Sequence, residues 1–151
     1  KRYRSLVKEM EMLRMDRILC GHDMEHFLNV ARIALILCSE NGIEADSDII
    51  YAAALLHDIG RVEEYRSGTP HDRASALIAG DILTETGCPD AVKSQIISLI
   101  SAHRTAESGK TELEKIFFRA DKKSRLCFCC KAQDECNWPC LLYTSPSPRD
   151  S

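Results

Sequence analysis

The stretch that most limits the fold of this chain is Ile49-Ile50-Tyr51-Ala52-Ala53-Ala54-Leu55-Leu56-His57, apolar on nearly every face and followed by Asp58. A helix with no polar face has nothing to offer water, so it belongs inside a layer of other helices. The rest of the chain can supply that layer. Residues 3–19 carry an apolar stripe of Leu6, Val7, Met10 and Leu13, broken at Cys20-Gly21. Asp23 can cap a second helix over 24–39, with Phe27, Val30, Ala31, Ala34, Leu37 and Cys38 on one side and Asn41-Gly42 at its end. Asp46 or Ser47 caps the central helix, 49–57, which Gly60 stops. Residues 61–70, with Gly68, Thr69 and Pro70, read as a polar loop. A fourth helix spans 72–86, and a fifth opens on Pro89 and runs to 103. Residues 104–110 read as a second loop. Thr111 and Glu114 form a capping box for a sixth helix over 111–123. No segment alternates as a strand would, so the expected fold is all-α, a compact single-domain bundle of about six helices.

Composition narrows the function classes. The net charge is −3, so no basic field gathers a nucleic-acid polymer. No apolar run nears the ~20 residues that span a bilayer, so no membrane partner is expected. The start, Lys1-Arg2-Tyr3-Arg4, leads into an amphipathic stretch and not into a secretory signal. A cytoplasmic location and reduced thiols follow as expectations.

The chemistry-bearing residues are histidines and aspartates at helix ends. His57-Asp58 closes the central helix; His26 lies upstream, and His71, His103 and Asp121 follow. An imidazole at a helix C-terminus can simply bond the last free carbonyls. Asp58 and Asp121 are less comfortable, because a carboxylate at that end of a helix is disfavoured unless something positive binds it. Arg61 or a metal ion could supply the charge. Imidazole and carboxylate donors suit Mn, Fe, Co, Ni, Zn or Mg, as one or two divalent ions. Such ions can activate a hydroxide against a phosphate ester.

At this point the chain resembles the HD-domain superfamily of metal-dependent phosphohydrolases. The resemblance is carried by His22-Asp23-Met24-Glu25-His26-Phe27-Leu28-Asn29-Val30, by Ala53-Ala54-Leu55-Leu56-His57-Asp58-Ile59-Gly60-Arg61, and by Arg119-Ala120-Asp121-Lys122-Lys123-Ser124, across about residues 20–125. It implies that His26, His57, Asp58 and Asp121 hold one metal and that His71 and His103 complete a second site. One-metal members use those two histidines to bind substrate or donate a proton. The implied activity is hydrolysis of a small phosphorylated substrate, a nucleotide or related metabolite. His57, Asp58, Arg61 and His103 would be catalytic, and Arg61, Arg104, Lys122 and His22 would line the substrate pocket. Two departures stand out: Asn29-Val30 where many members have Arg-Val, and Ser75-Ala76 where many have Gly-Ala.

The end of the chain reads differently. Cys127, Cys130 and Cys136, with Cys129 between, could hold a structural zinc or an iron–sulfur group. Residues 140–151 lack periodicity and resemble a translated sequencing adaptor, a scar outside the fold. The expected organisation is therefore a helical metal-binding domain over 1–125, a Cys-rich segment over 126–139 and a non-native tail. Two other functions fit the residues: a non-catalytic module of the same fold that binds a nucleotide or protein, and a metal or redox sensor built on the cysteines.

Overall fold

The computed structural model describes residues 1–14, 23–105 and 108–127. Among them are seven helices: α1 (Arg2–Arg14), α2 (Met24–Glu40), α3 (Ser47–Leu56), α4 (Arg61–Ser67), α5 (His71–Glu85), α6 (Asp90–Ala102) and α7 (Glu112–Lys123). No described residue lies in a strand. The all-α bundle expected from the sequence is the fold observed. No described helix is long and apolar enough to cross a membrane.

α3 is the core helix that its composition requires. Ile49, Ile50, Ala53, Ala54 and Leu56 are buried, and nothing between 49 and 56 is exposed. α2 and α6 pack against it; α7 packs on α2 and α6, and α5 on α6. Val30, Ala31, Ala34, Ile96, Ile100, Ile116 and Phe117 join α3 in one apolar cluster. Fully burying side chains of this size contributes roughly 1.5–3 kcal/mol each for the larger ones, which sets the bundle's geometry more firmly than any surface pair. Three caps legible in the sequence form. The Asp23 side chain accepts from His26 N, Asp46 from Asp48 N, and Thr111 with Glu114 makes the reciprocal capping box.

The segment read as a loop over 61–70 contains α4, and this is the main correction to the expected elements. α4 has no side-chain cap hydrogen bond and only one fully buried residue, Val62, so its period is faint. Val62 packs with Met10 of α1 and Phe27 of α2, and Arg66 pairs with Glu9. Tertiary contact holds these two turns where propensity alone would not. Gly68 ends it with φ +75, a left-handed conformation that disfavours side chains with a Cβ.

Between α3 and α4 the chain turns tightly over 57–60. Gly60 has an ordinary φ of −77 but lies against the first turn of α5, where an added Cβ would meet Ser75 N at 2.2 Å and His71 O at 2.6 Å. Its own N–H donates to Ser75 Oγ at 2.8 Å. The close approach of this turn to α5 brings His71 beside Asp58.

Candidate metal centre

Five helix ends converge on one buried cluster. His26 comes from the first turn of α2, His57 and Asp58 from the turn after α3, His71 from the start of α5, His103 from the C-cap of α6 and Asp121 from the last turn of α7. All six are buried. The rings of Phe27 and Phe117 stand edge-on to His57 at 5.5 and 6.1 Å between centroids, which keeps one wall apolar.

The histidines share one wiring. His57 Nδ1 lies 2.7 Å from Ala54 O, and His103 Nδ1 lies 2.5 Å from Ile100 O. A carbonyl oxygen only accepts, so both Nδ1 atoms carry the proton. His71 Nδ1 stands 3.1 Å from Glu64 Oε1 and donates to that carboxylate. Ser124 donates its hydroxyl hydrogen to Asp121 O at 2.7 Å, so its Oγ accepts from His26 Nδ1 at 3.0 Å. In the neutral form each of the four imidazoles therefore turns an Nε2 lone pair inward.

Those lone pairs face carboxylate oxygens. His26 Nε2 is 3.2 Å from Asp121 Oδ1 and 3.7 Å from Asp58 Oδ2. His57 Nε2 is 3.2 Å from Asp58 Oδ2 and 3.6 Å from Asp121 Oδ1. Acceptors packed this way repel unless a cation or a proton lies among them. Donors held ~2.0–2.2 Å from one ion lie roughly 3–3.6 Å apart, close to the 3.2–3.7 Å found. His71 Nε2 and His103 Nε2 stand 3.6 and 3.7 Å from the other oxygen, Asp58 Oδ1. Two groups sharing Asp58 thus have the spacing to hold an ion: His26, His57 and Asp58, and Asp58, His71 and His103.

The electrostatics express the same demand for positive charge. Burial alone would push the His57 imidazole down, but Asp58 and Asp121 outweigh it and raise its pKa to about 10. Burial would likewise raise Asp121; contact with His26 and His57 and the charge of Lys122 hold it well below the usual carboxylate range. Burial and then Arg61 lower the pKa of His71, which favours the neutral ring a metal needs.

Cations hold the outer sides of both carboxylates. Lys122 Nζ lies 2.5 Å and Arg125 Nη2 3.3 Å from Asp121 Oδ2. Arg61 Nε lies 2.9 Å from Asp58 Oδ1, an ion pair without hydrogen-bond geometry, so its buried Nε–H donates no hydrogen bond. Lys122 is drawn into the cluster instead of reaching outward, and its Nζ also approaches His103 O at 3.4 Å. Arg104 is exposed and paired with Asp72 Oδ1 at 3.0 Å. His22, Cys130 and Cys136 lie outside the described residues, as do residues 140–151; Cys127 is half-buried. Sequence reasoning did not assign Glu64, Ser124 or Arg125. For Ser124 and Arg125 the available signal was their spacing of three and four residues after Asp121, one helical turn.

Ser75, noted in the sequence as a departure from a Gly-Ala pair, is buried, and its hydroxyl accepts the Gly60 N–H that ties the two halves of the cluster.

The chain matches known proteins over this same span. The HD domain family matches residues 23–126, which contain every residue of the cluster. An uncharacterised protein of Clostridium beijerinckii (strain ATCC 51743 / NCIMB 8052) is 39% identical over 132 residues, covering 87% of this chain and 83% of that protein. The crystal structure of a predicted HD superfamily hydrolase from an uncultured Thermotogales bacterium superposes with a TM-score of 0.60 at 26% identity, over 79% of this chain and 66% of that one. With the family spanning most of the chain, this protein belongs to the HD domain family.

Proposed function

We propose that this protein is a metal-dependent phosphohydrolase acting on a small phosphate ester, a nucleotide or related metabolite. The observation that carries the reading is the common wiring of His26, His57, His71 and His103, whose Nε2 atoms all face Asp58 or Asp121 inside one buried cluster. The family and the solved structure of a predicted HD superfamily hydrolase support it. His26, His57, Asp58 and Asp121 would hold a divalent ion; when bound, it would polarise a phosphoryl oxygen and acidify water enough to attack phosphorus near neutral pH.

The remaining steps fall to the protein's own groups. Arg61, a half-buried cation held 2.9 Å from Asp58 Oδ1, would offset charge on an equatorial phosphoryl oxygen. His103, held by Ile100 O through Nδ1, would pass a proton from Nε2 to the leaving oxygen as the P–O bond breaks, in the form where both ring nitrogens are protonated. Phe27 and Phe117 exclude water from one side of His57 and strengthen every charge interaction there. Arg104, next to His103 in the chain and paired with Asp72, would take an outer phosphate or sugar group.

The test is hydrolysis of p-nitrophenyl phosphate, bis-p-nitrophenyl phosphate and a nucleotide panel with Mn, Co, Ni or Mg. Activity is expected with at least one metal. His57→Ala and Asp58→Ala should lose more than ~100-fold, since losing even an outer partner of a ligand costs 10- to 100-fold. Wild type and variants equally inactive with every metal would sink the proposal.

A further inference from the structure

Asp58 gives one oxygen to each donor group, and the two groups are not alike. Oδ2 joins His26, His57 and the second carboxylate, Asp121. Oδ1 joins His71 and His103, with no second carboxylate in that group. Oδ1 also carries Arg61, whose Nε is 2.9 Å away on a side chain 15% exposed. An ion bound to Oδ1 at ~2.1 Å could therefore be no farther than about 5 Å from that nitrogen. A dication and a guanidinium at that distance in a buried site repel strongly. Lys122 and Arg125 lie one oxygen farther from the first group, which also has a second carboxylate to offset their charge. They sit on Asp121 Oδ2, whereas Oδ1 is the oxygen that faces His26 and His57.

We propose that the chain holds one divalent ion tightly, at His26, His57, Asp58 and Asp121, and that Arg61 keeps Asp58, His71 and His103 from holding a second with comparable affinity. The inference rests on the metal-dependent reading above. Arg61 supplies at Asp58 Oδ1 a positive charge that a second ion would otherwise bring, and it stays available to an anionic substrate. Glu64 keeps the guanidinium in place from the far side, 3.5 Å from Nη1, while accepting from His71 Nδ1.

The experiment is calorimetric titration of the metal-stripped full chain with Mn²⁺, with bound Mn²⁺ counted after equilibrium dialysis. Wild type should retain one ion per chain and take a second at least tenfold more weakly. Arg61→Ala should tighten the second ion at least tenfold, and Arg61→Lys should keep the wild-type gap. Adding His103→Ala to Arg61→Ala should remove the gained ion. Circular dichroism checks each variant's fold, and Arg61→Met, which keeps the aliphatic stem, replaces Arg61→Ala if the latter does not fold. Two equal sites in wild type, or an unchanged gap in the folded charge-removed variant, would overturn the inference. No bound ion at all in wild type would instead overturn the metal-dependent reading itself.

Discussion

Two glycine-to-alanine substitutions should move stability in opposite directions, and the difference tests the packing that assembles the site. At Gly60 a Cβ would lie 2.2 Å from Ser75 N, 2.6 Å from His71 O and 2.7 Å from Ala74 C. All three are backbone atoms of the first turns of α5, so no side chain can swing aside. Opening the first contact from 2.2 Å to the 3.4 Å where ordinary contact begins demands a shift of ~1.2 Å between the 57–60 turn and α5. Overpacking of this kind costs ~1–3 kcal/mol. The stretched Gly60 N–Ser75 Oγ bond adds about 0.5–1.5 kcal/mol. Gly60→Ala should therefore lose ~2–4 kcal/mol, a fall in Tm on the order of 10 °C for a domain of this size. Gly80, inside α5, meets only Ile97 Cδ1 at 3.9 Å. There the added methyl restricts the unfolded chain and favours the helix, so Gly80→Ala should gain roughly 0.5–1 kcal/mol. Thermal or urea unfolding of the metal-stripped proteins reads both. A Gly60→Ala protein melting within experimental error of wild type would refute the close-packing account.

Ser124→Ala removes the acceptor that fixes the His26 tautomer and should weaken Mn²⁺ binding 10- to 100-fold by calorimetry, with Ser124→Thr near wild type. Thr111→Ala removes the cap on Glu114 N and should cost about 1 kcal/mol in urea unfolding, within a 0.5–2 kcal/mol range. The folded pKa of His57 is raised from 6.5 to about 10, so its contribution to stability is complete below pH 6.5 and is lost as pH climbs through 10. The Tm of metal-stripped protein should fall across that window, and a folded His57→Asn variant should fall less; parallel curves would contradict the assignment.

How far the sequence could be read depends on the range of each interaction. The caps at Asp23, Asp46 and Thr111 act within two or three residues, and the burial of α3 follows from its own composition, so both were visible in the linear chain. His26, His57, Asp58 and Asp121 were legible as residue types at helix ends, and the packing of α2, α3 and α7 brings them together. α4 escaped because Arg61, Glu63, Glu64 and Arg66 leave a single fully buried position, and its partners Met10 and Phe27 lie far away in sequence. Missing α4 also hid Glu64, which sits on its face toward His71. Ser124 was in view beside Asp121, but its bond to His26 spans 98 residues. That bond matters more than its modest energy suggests. An imidazole can present either nitrogen, and a residue list is silent on which. The proton positions are set by Ala54 O, Ile100 O, Glu64 and Ser124, and only the folded chain brings the last two to their histidines. Ala54 O and Ile100 O lie three residues before their histidines, a local pattern open to sequence reasoning. The centre is thus two tautomer locks within one helical turn, one between the neighbouring helices α4 and α5 and one that spans 98 residues, and the last two are where substitution should alter metal binding while leaving the helices intact.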